Sequence, residues 1–204
     1  MKQRILFVLL LLISGSVFGQ KSNFLKMPFK PPTPKQLQDE IKNHTCVKKS
    51  ITSFANRLKN YPFERTTQIQ FVSFKGTSKT IDNELVYIED SLPRINDTIC
   101  YSKLFEVKTL NLVQIEKLTN VFYNYGFGGR VFTMSVSGCY NPRNAILFLD
   151  STGKVFEFIE ICFECQRLEV SSEKIKLGDM CDEKTELLKK LFGIVGINYG
   201  IRND

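Results

Sequence analysis

The 204-residue sequence predicts an α+β fold built on an antiparallel sheet. Three observations lead there. Helix-like and strand-like segments are segregated along the chain rather than strictly alternating, which argues against a parallel β-α-β sheet. One stretch carries a clear helical stripe, with Leu112, Ile115, Leu118, Val121 and Phe122 on one side and Glu116, Lys117 and Asn120 on the other. After it come short strand-like runs separated by turns, of which Asp150-Ser151-Thr152-Gly153 is the strongest turn signal in the chain.

At the N-terminus, Lys2 and Arg4 precede an unbroken apolar run from Ile5 to Ile13. Ser14, Gly15 and Ser16 break it, and Val17 and Gly19 suit the positions that a signal peptidase reads. The expectation is a Sec-type signal peptide over residues 1–19, cleaved near Gly19/Gln20, and a secreted or periplasmic protein. The run is short of the roughly 20 apolar residues that cross a bilayer, and no later segment reads as a span. No cysteine follows it closely, so a lipid anchor is not expected. Residues 20–35, with Pro28, Pro31, Pro32 and Pro34, read as an extended lead-in, because proline lacks the backbone donor. Residues 36–204 then form one α+β domain, large enough to bury a core without covalent help.

At the junction, Pro34 stands near a helix start, with Leu37 and Ile41 spaced for one face. A helix is expected near 47–58, because Ile51, Phe54, Ala55 and Leu58 share a face and Asn60-Tyr61-Pro62 stops it. Thr66 to Phe74 alternates as a strand, and Leu85 to Ile88 is a shorter one. Pro93 to Thr98 is a turn region. The helix at 112–123 takes Asn111 as N-cap and Gly126 as stop. A three-strand meander is expected next (131–139, 145–149, 155–162). Its last strand is apolar on both faces, as a central strand would be. A final helix spans 183–192, capped by Asp182 or a neighbour.

In such a meander the first and third strands run the same way. Cys139 and Cys162 then end at one edge of the sheet, Cys165 lies just beyond, and Cys181 returns within reach. Cys139, Cys162, Cys165 and Cys181 are therefore a candidate cluster. Three chemistries fit these residue types. Disulfides come first, given six cysteines in an exported chain, although fifteen connectivities exist for six. A four-thiolate zinc site is second, weakened by a single Cys-x-x-Cys where zinc ribbons use two. A redox-active Cys162-Phe163-Glu164-Cys165 is third. It is weakened because the pair ends a strand rather than opening a helix, which would lower the thiol pKa.

Other chemistry is sparse. The single histidine, His44, excludes two-histidine zinc protease motifs, and its spacing from Cys46 points the two side chains apart on a helix. It reads as an ordinary surface or cap residue. Gly126-Phe127-Gly128-Gly129 leaves a helix, whereas phosphate cradles enter one. Glu160 and Glu164 would share a face with Cys162 as a carboxylate pair, although a solvated edge is the commoner setting. Arg143, in the turn after Cys139, is placed to contact an anion. Asn43-His44-Thr45 and Asn96-Asp97-Thr98 are glycosylation sequons, of consequence only in a eukaryotic host. The net charge of +7 falls to about +5 without the leader, and basic residues are scattered rather than gathered into a tract. That pattern excludes a nucleic-acid partner and leaves loose attraction to an anionic envelope surface.

At Gly138-Cys139-Tyr140-Asn141-Pro142-Arg143-Asn144 and Ile161-Cys162-Phe163-Glu164-Cys165 the chain resembles a group of uncharacterised exported bacterial proteins. These pair a Cys-Tyr-x-Pro-Arg turn with a Cys-Phe-Glu-Cys strand end. The resemblance covers the C-terminal half and brings no activity. It implies an envelope or secreted location and groups Cys139, Arg143, Cys162 and Cys165. The resulting expectation is a non-enzymatic binding or envelope module, stabilised by cysteines and needing no cofactor. The alternative is a thiol-disulfide or metal-dependent enzyme using Cys162 and Cys165.

Overall fold

Six consecutive buried residues, Asn144–Leu149, form the strand around which the other elements are arranged. The structure is a computed structural model that describes residues 32–49, 51–75, 78–81, 84–87, 91–132 and 138–201. The chain divides after Thr33, and everything below belongs to the unit that begins at Pro34. The elements are α1 (Pro34–His44), β1 (Cys46–Lys48), α2 (Phe54–Arg57), β2 (Gln68–Phe74), β3 (Ser78–Ile81), β4 (Glu84–Tyr87), β5 (Arg94–Ile95) and β6 (Thr98–Ile99), followed by a 3-10 turn at Tyr101–Lys103. Then come β7 (Leu104–Thr109), α3 (Leu112–Asn124), β8 (Tyr125–Phe127), β9 (Asn144–Leu149), β10 (Val155–Cys162), β11 (Arg167–Val170) and α4 (Lys184–Val195).

Five strands form one sheet in the order β11-β10-β9-β2-β7, with every neighbouring pair antiparallel. The class is α+β, as the sequence predicts. On β9, Ile146 and Phe148 point to one face, and Ala145, Leu147 and Leu149 to the other. The first face packs under α3 and α4 through Leu118, Phe122, Leu188 and Phe192, with the Phe71 and Phe192 rings stacked at 3.8 Å. The second face is covered by Leu92 and Ile99, from the segment that carries the β5–β6 hairpin. An apolar residue sealed this way contributes roughly 1.5–3 kcal/mol relative to exposure. Both layers are thus needed to keep β9 dry. Among the described residues, no helix is long and apolar enough to cross a membrane.

Several local expectations hold. Asn111 caps α3, its side chain accepting from the Gln114 amide while Gln114 reaches back, a complete capping box. Asp150 turns the β9–β10 hairpin by accepting from the Thr152 amide at 2.8 Å and the Lys154 amide at 3.1 Å. α4 runs on to Val195 and ends at Gly196 in the left-handed conformation (φ 94°).

Others are corrected. No helix fills 47–58: Val47 belongs to β1, paired with Gly126 of β8, and only Phe54–Arg57 is helical. Ile51 is exposed, and the residue that α2 buries is Arg57. Gly126 does not stop α3. The chain passes straight into β8, and Gly126 is there because a Cβ would lie 2.5 Å from Asp179 Oδ2. Within the expected strand 131–139, residues 133–137 lie outside the described residues, and 131–132 and 138–139 are not strand. The place beside β9 is taken by β2. The C-terminal meander is therefore β9-β10-β11, and Arg167–Val170, which reads as loop in the sequence, is its third strand. The leader and residues 20–31 of the proline-bearing stretch also lie outside the described residues; Pro34 is already helical.

Three charged side chains pin neighbouring elements together. The buried Arg57 guanidinium donates to Thr119 Oγ1 at 3.1 Å and to the carbonyls of Thr52 and Glu116, tying α2 to α3. The fully buried Lys184 Nζ donates to the carbonyl of Phe122 at 2.9 Å and to that of Leu177 at 3.2 Å, so the first residue of α4 serves the last turn of α3. Glu106 on β7 accepts from Ser73 Oγ at 2.7 Å and from the amides of Asn198 and Tyr199, each at 3.0 Å. Burial alone would raise the Glu106 carboxyl, but these donors hold it below the usual range.

Arg57→Met removes the donor to the buried Thr119 hydroxyl and to the Thr52 and Glu116 carbonyls and should lower unfolding stability by about 2–4 kcal/mol in urea titration. Arg57→Lys should recover only part, lacking the fork. For Lys184, burial lowers the pKa from 10.5 to about 8. Between those values the unfolded chain binds more protons than the folded one, so the lysine's contribution favours folding increasingly as pH rises. Wild type should gain stability relative to Lys184→Met between about pH 7.5 and about pH 9.5, read as the difference in urea midpoints.

Candidate functional site

The β9–β10 hairpin itself brings three of the candidate cysteines of the sequence to one corner. Ile161 pairs with Asn144, so the end of β10 lies beside the turn that leads into β9. That turn carries Cys139, Tyr140 and Arg143; the end of β10 carries Cys162, and the next turn Cys165. Cys139 is bonded to Cys165, with their Cα atoms 5.8 Å apart. Cys162 is free and buried, and its sulfur accepts the Cys165 amide at 3.3 Å. Cys181 is joined instead to Cys46, Cα to Cα 5.0 Å, across a sequence separation of 135. Cys100 is the second free thiol, half-buried and 3.4 Å from Ser102 Oγ.

Beside the sulfurs sits a buried carboxylate. Glu160 accepts from the Leu92 amide and from Tyr140 Oη at 3.3 Å. The Arg167 guanidinium lies 4.8 Å over the Tyr140 ring and bonds Glu169 at 2.6 Å, and Glu169 faces Glu160 across the β10–β11 ladder. Burial raises the Glu160 carboxyl above its ordinary value, against the opposing pull of Leu92, Tyr140 and Arg94. Burial and then Glu160 push the Tyr140 hydroxyl well above the normal phenol range.

Glu160 and Glu164 form neither a carboxylate pair nor a solvated edge. Glu160 points into the structure, while Glu164 lies exposed on the turn. Arg143 is 3.3 Å from Glu164, so its anion is supplied from within the chain. His44 is half-buried, 3.5 Å from the carboxylates of both Glu40 and Asp182 and edge-on to Phe127. Three of the four sulfurs considered for zinc are in disulfides, and among the described residues no group of three or more His, Cys, Asp or Glu is placed to hold a metal.

A second feature was not legible in the sequence. The β5–β6 hairpin turns through Asn96 and Asp97, both at positive φ (48° and 60°), the geometry of a two-residue type I′ turn. It holds Arg94 over the Phe158 ring at 5.1 Å. Between the hairpin and the start of β10 is a cleft of about 310 Å³, lined by Arg94, Asp97, Phe156, Phe158, Glu157 and Ser171 among others. Register slips between Val155 and Glu157, a bulge that re-aims Glu157. Its carboxylate accepts from Tyr61 Oη and Ser171 Oγ. Burial, then Glu157, pushes the Tyr61 hydroxyl up to about 12. The only sequence trace of this cleft is the turn signal at 93–98.

Comparison with protein families, curated proteins and solved structures finds no match for this chain. Function must therefore be argued from the chemistry of these two places.

The two disulfides differ in how much of the unfolded chain they constrain. On loop-closure grounds, Cys46→Ser with Cys181→Ser should cost about 4–5 kcal/mol, and Cys139→Ser with Cys165→Ser about 3 kcal/mol. Calorimetric melting of the two double variants should rank them in that order.

Proposed function

We propose that this protein is exported and works as a disulfide-stapled binding module rather than as an enzyme. The single observation that carries the reading is the Cys46–Cys181 bond, which closes 135 residues of chain. A bond of that span stabilises the fold where thiols oxidise and persists poorly in a reducing cytosol. The apolar run behind Lys2 and Arg4 and the resemblance to exported bacterial proteins support the same address. The surplus of basic residues supports loose attraction to an anionic envelope surface.

Binding is favoured over catalysis because the corner's charged groups are already engaged. Glu160 is bonded to Leu92 and Tyr140, and Arg143 to Glu164. Neither Cys162 nor Cys165 is open to solvent as an oxidoreductase pair would be. The cleft is different. Its volume is at the low end for small-ligand sites, Phe156 and Phe158 both line it, and Arg94 lies over the Phe158 ring. Glu157 is engaged by Tyr61 and Ser171 and Asp97 also lines the cleft, so a small ligand with an apolar or aromatic body and a single carboxylate for Arg94 suits it.

Expression of residues 1–204 in a bacterial host tests the address and the staples together. The expected product is extracytoplasmic and lacks the leader. Denaturing alkylation should label two of its six cysteines before reduction and all six after. Six labelled thiols without reductant, or a full-length cytoplasmic product, would overturn the reading. Binding is read by thermal shift with N-acetyl amino acids as probes. Wild type should be stabilised by the aromatic members and Arg94→Ala should not; no shift with any probe removes the cleft as the binding surface.

A further inference from the structure

We propose that the corner is a thiol-exchange site. Cys162 displaces Cys139 from Cys165, and Cys139 is thereby presented to solvent as a nucleophile toward a small organic disulfide. Three sulfurs share this corner and one bond joins two of them. The arrangement has a buried thiol, Cys162, and a bond with one buried end and one exposed end, Cys165 and Cys139.

The geometry brings the attacking sulfur to its target. Cys162 closes the β10–β11 ladder opposite Arg167, and residues 163–166 turn the chain with Gln166 in the left-handed region (φ 52°). The turn folds Cys165 back so that its amide donates to the Cys162 sulfur at 3.3 Å. A cysteine's own sulfur lies about 3–4.2 Å from its amide nitrogen, so the sulfurs of Cys162 and Cys165 are no more than about 7.5 Å apart. Rotation about the Cys162 Cα–Cβ bond is the motion that the exchange requires. The leaving group is the exposed partner, and water receives it.

The exchange balances without an added oxidant or reductant. The Cys162 sulfur attacks Cys165 Sγ, the 162–165 bond forms, the 139–165 bond breaks, and the electron pair leaves with Cys139. The proton that Cys162 releases is matched by the one Cys139 can take up from solvent, and the disulfide count stays at two. In a second step the Cys139 thiolate attacks one sulfur of the external disulfide. It forms a mixed disulfide and expels the other half as a thiolate. The staple at Cys46–Cys181 takes no part, so the module keeps its longest clasp throughout.

This inference rests on the Cys139–Cys165 pairing that the staple reading also uses, and its test separates the two. The mature chain carrying Cys100→Ser is incubated, oxidised and folded, with oxidised glutathione, and adducts are mapped by peptide mass spectrometry. The expected adduct is on Cys139, in molecules that also hold a Cys162–Cys165 bond. Adding Cys162→Ser should lower it at least about tenfold, since the displacing thiol is gone. An adduct on Cys162, no adduct, or one undiminished by Cys162→Ser would each overturn the proposal. A second variant does not depend on the fold tolerating serine at 162. Cys139→Ser should re-pair Cys162 with Cys165 and keep two disulfides. If it instead shows both thiols free beside an intact Cys46–Cys181 bond, the exchange fails while the staple reading stands.

Discussion

The double burial of β9 is the constraint from which the rest of the architecture follows. A strand with apolar side chains on both faces cannot sit at the surface of a sheet, so it demands a layer above and a layer below. Helices α3 and α4 supply one, presenting Leu118, Phe122, Leu188 and Phe192 to Ile146 and Phe148. The other comes from an irregular segment that brings Leu92 and Ile99 against Ala145, Leu147 and Leu149. That second layer has no long element to stiffen it. Its order comes from short devices instead: the tight Asn96-Asp97 turn, the Leu92 amide donated to Glu160, and the guanidinium of Arg94 over Phe158. The cleft and the sulfur corner lie along this side of the sheet, where β10 meets loops rather than helices.

Buried charge is used in one consistent way. Arg57, Lys184 and Glu160 each lie inside the protein, and each makes at least one hydrogen bond to the backbone of another segment. A charge taken out of water is costly unless its partners are in place, so each tolerates few alternative packings. The apolar layers make burial favourable, while these groups decide which element meets which. Glu106 does the same at the sheet edge, where Ser73 and the backbone after α4 converge on one carboxylate.

What could be read from the sequence was local. The α3 stripe, its Asn111 cap and the Asp150 turn are encoded within a few residues of one another, and each forms as the pattern says. The errors share a different origin. Ile51, Phe54, Ala55 and Leu58 imitate a helical face, but the chain there is governed by partners far away: Gly126 across a ladder and Cys181 across a disulfide. Arg167–Val170 does alternate, with Leu168 against the core and Arg167 and Glu169 answering to Tyr140 and Glu160, but four residues are too few to stand out as a strand. Cys139, Cys162 and Cys165 do gather at one corner, but by the turn into β9 rather than by a strand ending at Cys139, and Cys181 lies with Cys46 instead. The pairing was not legible, because which sulfurs bond depends on distances that spacing does not encode. The cleft left almost no trace, being made by a hairpin of two-residue strands.

The Cys46–Cys181 clasp also changes how the molecule answers a pull. Tension applied to the two ends would pass through the sulfur bridge and bypass everything between, so roughly 450 Å of potential extension stays locked away. A protease that nicks a loop inside the clasp likewise releases nothing, since the severed pieces remain covalently joined. In an environment of shear and extracellular proteases, such a chain stays short and stays whole after damage that would scatter an unclasped domain.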